Sequence, residues 1–359
     1  MKISYKDEEY RRFLEGCYQH PVVLLEISSI CNFQCVYCVS KDKTRAKRFM
    51  SEDLFRHIIA QIPALTPYPL RLHVDGEPTL HPKFFEFAKI LNEARIPFVL
   101  ATNGSRLTPE MVDLEMTVLI SISTSNAEFK LRAPSLNYHE YINNICSYLE
   151  AWLPSNKKQS IHIQIPYYKK NVISNIPQWY QKKKFVAAMG KRLKITDFTE
   201  KKVQGNLIAD FKIRYTKPNG SFLSFYSWTI QDLMPYKPVR ANDSRTTRGF
   251  CSRPWQEMAI LADGRVSFCC ADLTGGTAYT SREEIWKRSL IDIWMDRRII
   301  TIRKEFLQGK VQLPVCQRCI TSFPNNEVYT TNHPYHKSFA PKSRDLFPID
   351  SLGAPRQDY

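Results

Sequence analysis

The placement of the cysteines constrains this chain more than any other feature. Ten cysteines occur in 359 residues, and seven of them fall into two spaced sets. The N-terminus turns acidic where a signal peptide would be apolar, and no apolar run approaches the roughly 20 residues that a membrane helix needs. We therefore expect a cytoplasmic protein. Because disulfides are rare in that reducing compartment, the spaced cysteines are expected to bind metal or to act in catalysis.

Apolar, β-branched runs alternate with helical stretches over the first 200 residues. This alternation is typical of βαβ units and predicts an α/β fold with a parallel sheet. In such sheets, catalytic and ligand-binding residues usually lie at the carboxyl ends of the strands. The predicted strands are Val22–Ile27, Leu70–Val74, Phe98–Thr102, Val118–Ser123, Ile161–Ile165 and Leu193–Thr196. The predicted helices between them include Ser51–Gln61, Pro82–Glu93, Pro109–Glu115 and Tyr138–Trp152.

The pattern changes after residue 200. The next 50 residues are aromatic, are interrupted by Pro and Gly, and show no clear period. A hairpin signal follows, in which Asp263-Gly264 separates Met258–Leu261 from Arg265–Phe268. A helical stretch, Leu290–Gln308, then leads to Cys316. We predict five segments: an N-terminal helix in 1–20, a core in 21–200, a bridging segment in 201–249, a small cysteine-containing domain in 250–325 and an irregular tail in 326–359.

The first cysteine set directly follows the first predicted strand. Cys31, Cys35 and Cys38 can all point inward from one loop. A [4Fe–4S] cube has four irons, so three thiolate ligands leave one iron open to bind a substrate or cofactor. The alternative is zinc, which needs four protein ligands in a structural site and would have to borrow His20 or a distant residue.

The spacing C-x3-C-x2-C, with the aromatic Tyr37 before the last cysteine, resembles the signature of the radical S-adenosylmethionine (SAM) superfamily. The resemblance implies a partial (β/α)6 TIM-like barrel. It also implies that SAM chelates the open iron of a [4Fe–4S] cluster held by the three cysteines. In that family, an electron from the cluster cleaves SAM to methionine and a 5′-deoxyadenosyl radical, which abstracts hydrogen from substrate.

Three further strand ends resemble the same family. Asp75-Gly76-Glu77-Pro78 lies where the family has Gly-Gly-Glu-Pro, a motif that contacts the SAM amino group, so the first Gly is replaced here. Asn103-Gly104 ends the third strand, and serines end the fourth, where the family places groups that hold the SAM ribose and carboxylate. The cofactor-binding residues implied are Tyr37, Asp75, Gly76, Glu77, Pro78, Asn103, Ser121 and Ser123.

The second cysteine set has the pattern C-x12-G-x4-C followed by C-x2-C. It resembles the SPASM/twitch extension of radical SAM enzymes. No cysteine follows Cys319, so the resemblance implies a single auxiliary [4Fe–4S] cluster with four protein ligands. The alternative is a zinc knuckle built from the same thiolates. The ligands implied are Cys251, Cys269, Cys316 and Cys319.

Cys270 adjoins one of these ligands. In some SPASM enzymes the residue at this position faces the substrate, and a thiol there can give a hydrogen atom to a carbon radical. This resemblance makes Cys270 the candidate catalytic residue. The competing interpretations are a small buried hydrophobe and a ligand that replaces Cys269. Cys17 and Cys146 are expected to be structural.

The formal net charge of +16 favours an acidic partner. Because the SPASM extension is common in peptide maturases, we expect modification of a ribosomally made peptide with an acidic leader, by epimerisation, crosslinking or backbone excision. The expected partners are an electron donor such as flavodoxin or ferredoxin and a peptide-recognition protein, with no membrane contact. The alternatives are a dehydrogenase or epimerase of an aminocyclitol or sugar, an RNA-modifying enzyme without a recognisable RNA-binding module, and a non-catalytic metal-binding scaffold.

Overall fold

The computed structural model describes residues 20–36, 38, 44–168, 178–201, 212–230, 253–270, 275–308 and 311–316. By their internal contacts the residues form two compact units. The first unit comprises residues 1–30, 42–76 and 236–359, and the second comprises residues 31–41 and 77–235. The predicted N-terminal helix and the tail lie outside the described residues. Among the described helices, none combines the length and the apolar character needed to cross a membrane.

Strands and helices alternate along the described chain. The strands are β1 (Val22–Leu25), β2 (Leu70–Leu72), β3 (Phe98–Thr102), β4 (Thr117–Ser121), β5 (Ser160–Tyr168), β6 (Thr199–Lys201), β7 (Lys212–Thr216), β8 (Phe222–Ile230), β9 (Glu257–Ile260) and β10 (Val266–Ser267). The helices are α1 (Glu52–Ile59), α2 (Ile62–Leu65), α3 (Phe84–Glu93), α4 (Asn126–Lys130), α5 (Tyr138–Trp152), α6 (Gln178–Leu193), α7 (Arg253–Gln256), α8 (Glu284–Lys287), α9 (Leu290–Trp294) and α10 (Arg297–Gln308). Two 3₁₀ turns occupy Pro78–Leu80 and Pro109–Asp113.

In the first unit the strand order is β10-β9-β1-β2. β9 runs parallel to β1, from Val22 beside Glu257 to Leu25 beside Ile260. The predicted hairpin is confirmed, since β9 and β10 pair antiparallel. Gly264 makes the turn with φ +87°, a conformation that glycine adopts without strain.

In the second unit the strand order is β3-β4-β5-β8-β7-β6. β3, β4, β5 and β8 run parallel, and β7 and β6 continue the sheet antiparallel. Helix α5 has the bounds predicted from sequence, because the side chain of Asn137 caps its first turn by accepting from the N–H groups of His139 and Glu140. Its buried residues include Tyr148, Leu149 and Trp152, which belong to the core of this unit. The predicted α/β class with a parallel sheet is confirmed.

The strand predicted at Leu193–Thr196 is wrong. Leu193 is the last residue of helix α6, and Lys194 ends the helix in the left-handed region with φ +55°. The Ile195 N–H donates to Gly190 O, a bond typical of helix ends. The fourth parallel strand of this unit is β8, which pairs with β5 over nine residues inside the predicted bridging segment.

Two helix predictions also need correction. The stretch Leu290–Gln308 is two helices, because Asp296 starts α10 by accepting the Arg298 N–H on its carboxylate at 2.8 Å. The stretch Pro109–Glu115 is a 3₁₀ turn over Pro109–Asp113.

Candidate active site

The cysteine loop, residues 31–38, is pinned to the segment that follows α4. The Gln34 N–H donates to Arg132 O at 2.7 Å, and the Val36 N–H donates to Leu131 O at 3.0 Å. Within the loop, the Cys38 N–H donates to Cys35 O at 2.9 Å. All three loop cysteines are free thiols with partial exposure. The loop therefore presents its sulfurs while its backbone is held by the sheet unit.

The thiol of Cys31 lies close to several acidic groups. Burial, together with the nearby Glu77, Cys35 and Cys38, raises its pKa to about 12, although the hydrogen bond from the Phe33 N–H lowers it. Thiolates in this position therefore need a positive charge, which bound iron supplies. Among the described residues, no three His, Cys, Asp or Glu side chains converge as ligands of a single metal ion. In a [4Fe–4S] cube each thiolate binds a different iron, and the donor set of this loop fits such a cluster.

The carboxylate of Glu77 accepts four hydrogen bonds within the second unit. One oxygen accepts from the Thr79 N–H, the Thr79 hydroxyl and the Thr102 hydroxyl at 3.1, 2.6 and 2.7 Å. The other accepts from the Asn103 N–H at 2.6 Å. Three of these bonds fall on one oxygen and one on the other. Glu77 thus joins the end of β3 to the turn that begins at the buried Pro78, and its contact with SAM stays a prediction.

Asp75 replaces the first Gly of the family motif and lies in a buried ion cluster of the first unit. The guanidinium of Arg45 donates to both carboxylate oxygens of Glu26, at 2.9 and 2.7 Å, and to Asp75 at 3.2 Å. The second oxygen of Glu26 also accepts from the Ala262 N–H at 2.9 Å. The side chains of Glu26, Arg45 and Asp75 are each at most 4% exposed. The charge of Asp75 is therefore compensated by Arg45.

Gly76 is required by geometry. Its φ is +129°, and a Cβ there would lie 2.4 Å from Ser28 O. Only glycine allows the chain to pass this close to the residues that follow β1.

Asn103 connects the end of β3 to the cysteine loop. Its side-chain amide donates to Cys31 Sγ at 3.8 Å and to Asn32 Oδ1 at 2.9 Å. Asn32 in turn donates to the Ser105 hydroxyl at 2.9 Å, and the Ser105 N–H donates to Asn103 Oδ1 at 2.9 Å. The Phe33 N–H is a second donor to Cys31 Sγ, at 3.4 Å. Asn103 therefore contacts a predicted cluster ligand, which the motif alone did not indicate.

Arg132 is a site residue that the sequence reasoning missed. Its guanidinium donates to the Ser123 hydroxyl at 3.1 Å and to the carbonyl and hydroxyl of Ser121 at 2.9 and 3.1 Å. It also lies over the ring of Phe33, 5.3 Å from the centroid. Arg132 thus joins both predicted SAM-binding serines to the cysteine loop. A single arginine after a short helix belongs to no sequence motif. Its place in the site is therefore visible only from its contacts in the structure.

Two of the four predicted auxiliary ligands, Cys269 and Cys316, are described. Cys269 follows β10 and is partly exposed, with its N–H donating to the Ser267 hydroxyl at 3.1 Å, and Cys316 is buried. Cys251 and Cys319 lie outside the described residues, as does Tyr37.

Cys270 lies beside an ion pair of the first unit. Its sulfur accepts a hydrogen bond from Arg253, whose guanidinium also donates to Glu257 at 2.8 Å. Burial raises the pKa of the Cys270 thiol. The side chain also packs against an apolar cluster that includes Leu24 and Val74. Cys270 is therefore held as a neutral thiol.

Two family models match the chain. One describes the radical SAM superfamily and matches residues 25–152. The other describes SPASM, an iron–sulfur cluster-binding domain, and matches residues 251–320. The chain belongs to the radical SAM superfamily and carries a SPASM domain. The cofactors of these domains are SAM with its [4Fe–4S] cluster and an auxiliary iron–sulfur cluster, as the two cysteine sets implied.

Curated relatives match over part of the chain. The AdoMet-dependent heme synthase of Methanosarcina barkeri is 31% identical over 114 residues, which are 30% of this chain and 32% of that protein. The mycofactocin maturase MftC of Mycolicibacterium smegmatis is 28% identical over 127 residues, which are 34% of this chain and 31% of that protein. The chain thus spans about a third of the length of these relatives.

Solved structures are similar over most of the chain. Streptococcus suis SuiB has a TM-score of 0.51 at 16% identity and covers 83% of this chain and 72% of its own. The structure of anSMEcpe with bound AdoMet has a TM-score of 0.50 at 12% identity. The match covers 92% of this chain and 98% of the anSMEcpe chain. At such identities the likeness shows the fold alone. It confirms the predicted α/β partial barrel.

Proposed function

We propose that this radical SAM protein reductively cleaves SAM and modifies a ribosomally made peptide. The observation that carries the first half is the cysteine loop, which presents three partly exposed thiols from a backbone fixed by hydrogen bonds. Three protein ligands are what a cluster with one open iron requires. When bound, the cluster and SAM supply a 5′-deoxyadenosyl radical that abstracts hydrogen from substrate.

The chain's own residues position these groups. Cys31, Cys35 and Cys38 hold the cluster, and Asn103 donates a hydrogen bond to the Cys31 sulfur. Arg132 fixes Ser121 and Ser123 at the end of β4, where we place the SAM ribose and carboxylate. The protein thus supplies binding and orientation, and the cofactor supplies the difficult chemistry.

A peptide substrate is supported by charge and by relatedness. The net charge of +16 suits an acidic leader peptide. Among the relatives is a protein named mycofactocin maturase, which is 28% identical over 127 residues, or 34% of this chain. The reaction proposed is epimerisation, crosslinking or backbone excision.

For an epimerisation, we assign Cys270 as the hydrogen-atom donor. Its S–H bond breaks and a C–H bond forms on the substrate radical, which leaves a sulfur radical on Cys270. One electron and one proton restore the thiol, and the electron comes from an external donor such as reduced flavodoxin or ferredoxin. The neutral, partly buried state of the thiol supports this assignment, because a hydrogen atom can leave only from S–H.

The substrate class is tested with the precursor peptide encoded nearest to this chain's gene. We expect the peptide to bind at low salt, to lose affinity as salt rises, and to change under turnover, as detected by chiral amino-acid analysis or mass spectrometry. A leader in which Asp and Glu are replaced by Asn and Gln is the matched control. Absence of binding at low salt, or equal binding by the neutralised leader, contradicts the acidic-leader proposal.

A further inference from the structure

The strand β5 departs from the pattern of a parallel strand. Parallel strands are covered on both faces and usually read as continuous apolar runs. In β5, the fully buried Ile161, Ile163 and Ile165 alternate with His162 and Gln164, which are partly exposed. β5 lies between two parallel neighbours, β4 and β8, so the alternation is not that of a sheet edge. One face of this central strand is therefore polar and open.

The register extends this polar face to the neighbouring strands. Gln164 lies between Ser121 of β4 and Tyr226 of β8. One pleat deeper, His162 lies between Leu119 and Ser224. Two residues of parallel strand separate the layers by roughly 6.6 Å. The upper layer includes Ser121, which Arg132 binds, and the deeper layer lies farther from the strand ends.

The deeper layer is held in a fixed arrangement. His162 Nδ1 and the Ser224 hydroxyl lie 3.0 Å apart, and Ser224 is fully buried. The rings of Phe222 and Tyr226 lie 5.1 and 6.2 Å from the imidazole, both edge-on. In contrast, the carboxamide of Gln164 makes no hydrogen bond to another described residue. A fixed imidazole thus lies beside an amide that can both donate and accept.

The face suits one chemical class of ligand. Its side chains from β4, β5 and β8 include no Asp, Glu, Lys or Arg: Leu119, Ser121, His162, Gln164, Ser224 and Tyr226. Two guanidinium groups border the face, since Arg132 donates to the Ser121 hydroxyl at 3.1 Å and Arg214 lies over the ring of Phe222. At Gln164 itself, a substrate amide can pair with the carboxamide through one donor and one acceptor.

We propose that His162 and Gln164 form the substrate-binding floor and receive the side-chain amide of an Asn or Gln residue of the substrate. This proposal rests on the proposed function, because Gln164 lies in the same layer as Ser121, which is assigned to SAM, and His162 lies one layer below. Beyond the proposed function, it names the chemical class of the substrate group that this floor binds.

The test uses two small probes of matched size, N-acetyl-L-asparagine methylamide and N-acetyl-L-aspartate methylamide. The reconstituted full chain is treated anaerobically with diethylpyrocarbonate, and modification of each histidine is followed by mass spectrometry. We expect the asparagine probe to slow modification of His162 several-fold more than the aspartate probe does. The net charge of the chain favours the aspartate probe, so bulk electrostatics cannot produce this preference.

Gln164→Leu is the test variant and the exposed His139 is the internal control. The variant should abolish the protection of His162, and neither probe should alter modification of His139. Equal protection by both probes, no protection up to the solubility of the asparagine probe, or a His162 that reacts only after denaturation would each overturn the proposal. Formation of 5′-deoxyadenosine from SAM is measured in the same samples. If it is absent from the wild-type chain, the proposed function has failed, whereas probe failure with normal 5′-deoxyadenosine overturns the amide floor alone.

Discussion

Asn103 shows how one side chain can act on a cofactor through its ligand. The strand-end motif predicted that Asn103 belongs to the site, but its partner Cys31 is 72 positions away in sequence. N–H donors to a cluster sulfur favour the reduced, more negative state and so raise the reduction potential. The motif could therefore indicate that Asn103 lies in the site, but it could not indicate the hydrogen bond to Cys31.

We expect Asn103→Ala to lower the reduction potential of the SAM-binding cluster, because one N–H donor to Cys31 is lost. The measurement is a spectroscopic redox titration of the reconstituted chain. Asn92→Ala is the matched control, since Asn92 also donates a side-chain hydrogen bond, to Glu115 O. An unchanged or higher potential in Asn103→Ala would show that this hydrogen bond does not tune the cluster.

Cys270 allows a second prediction at the residue scale. If it gives hydrogen to the substrate radical, Cys270→Ala should abolish epimerised product while SAM cleavage and total iron stay near wild type. If Cys270 is instead a cluster ligand, the same variant should lose iron, because one thiolate is missing. Product chirality, 5′-deoxyadenosine and iron content are measured together. Normal epimerisation by the variant would eliminate the donor role.

At the scale of elements, the buried Arg45 joins the ends of β1 and β2 to the segment after β9. We expect Arg45→Met to destabilise the chain by about 3–5 kcal/mol, because the buried carboxylates of Glu26 and Asp75 lose the guanidinium that they share. Urea unfolding of the chain measures the change, and the exposed Arg106→Met is the control. Adding Glu26→Gln and Asp75→Asn should recover much of the loss, since no buried charge then remains unpaired. A loss below about 1 kcal/mol in Arg45→Met would contradict the assigned burial of this cluster.

The link between α8 and α10 predicts a pH dependence. Hydrogen bonds from Arg298, then from the Ser281 N–H and then from Arg288, lower the pKa of Glu284 from 4.5 to about 2. The resulting stabilisation is complete above pH 4.5 and is lost as the pH falls towards 2. Because Arg298 is 45% exposed, the contribution at neutral pH is at most about 1 kcal/mol.

Arg298→Met should therefore lower the unfolding temperature at neutral pH and flatten its decline between pH 4.5 and 2. Arg297→Met, at the adjacent exposed position of α10, should leave both unchanged. Thermal unfolding recorded across this pH range provides the comparison. Identical pH profiles for wild type and Arg298→Met would refute the role of this ion network.

Secondary structure was predictable where local signals agree. Helix α5 has its predicted bounds because Asn137 caps it and its apolar residues recur on one face. Leu193–Thr196 misled the prediction, since a short apolar run at a helix end resembles a strand. The strand β8 was missed because its aromatic and serine residues show no clear alternation, and its strand character depends on pairing with β5.

At the scale of the whole molecule, the fold class and the predicted cofactor ligands followed from the sequence because cysteine spacing is a local property. The residues that connect the ligands to the sheet did not. Arg132, Arg45 and His162 obtain their roles from partners brought close by the topology, and no spacing rule predicts such contacts. The sequence therefore predicted the chemistry of the cofactor, whereas the structure supplied the residues that orient it and the floor proposed for substrate.

The central claim is that Cys31, Cys35 and Cys38 hold the cluster that cleaves SAM. The most direct measurement is 5′-deoxyadenosine formation by the anaerobically reconstituted chain with SAM and dithionite, with iron counted in the same sample. We expect about eight irons per chain and 5′-deoxyadenosine from the wild type. In the triple variant Cys31→Ala, Cys35→Ala, Cys38→Ala, we expect about four irons and no 5′-deoxyadenosine. Zinc in place of iron, or 5′-deoxyadenosine formed equally by the triple variant, would contradict the account.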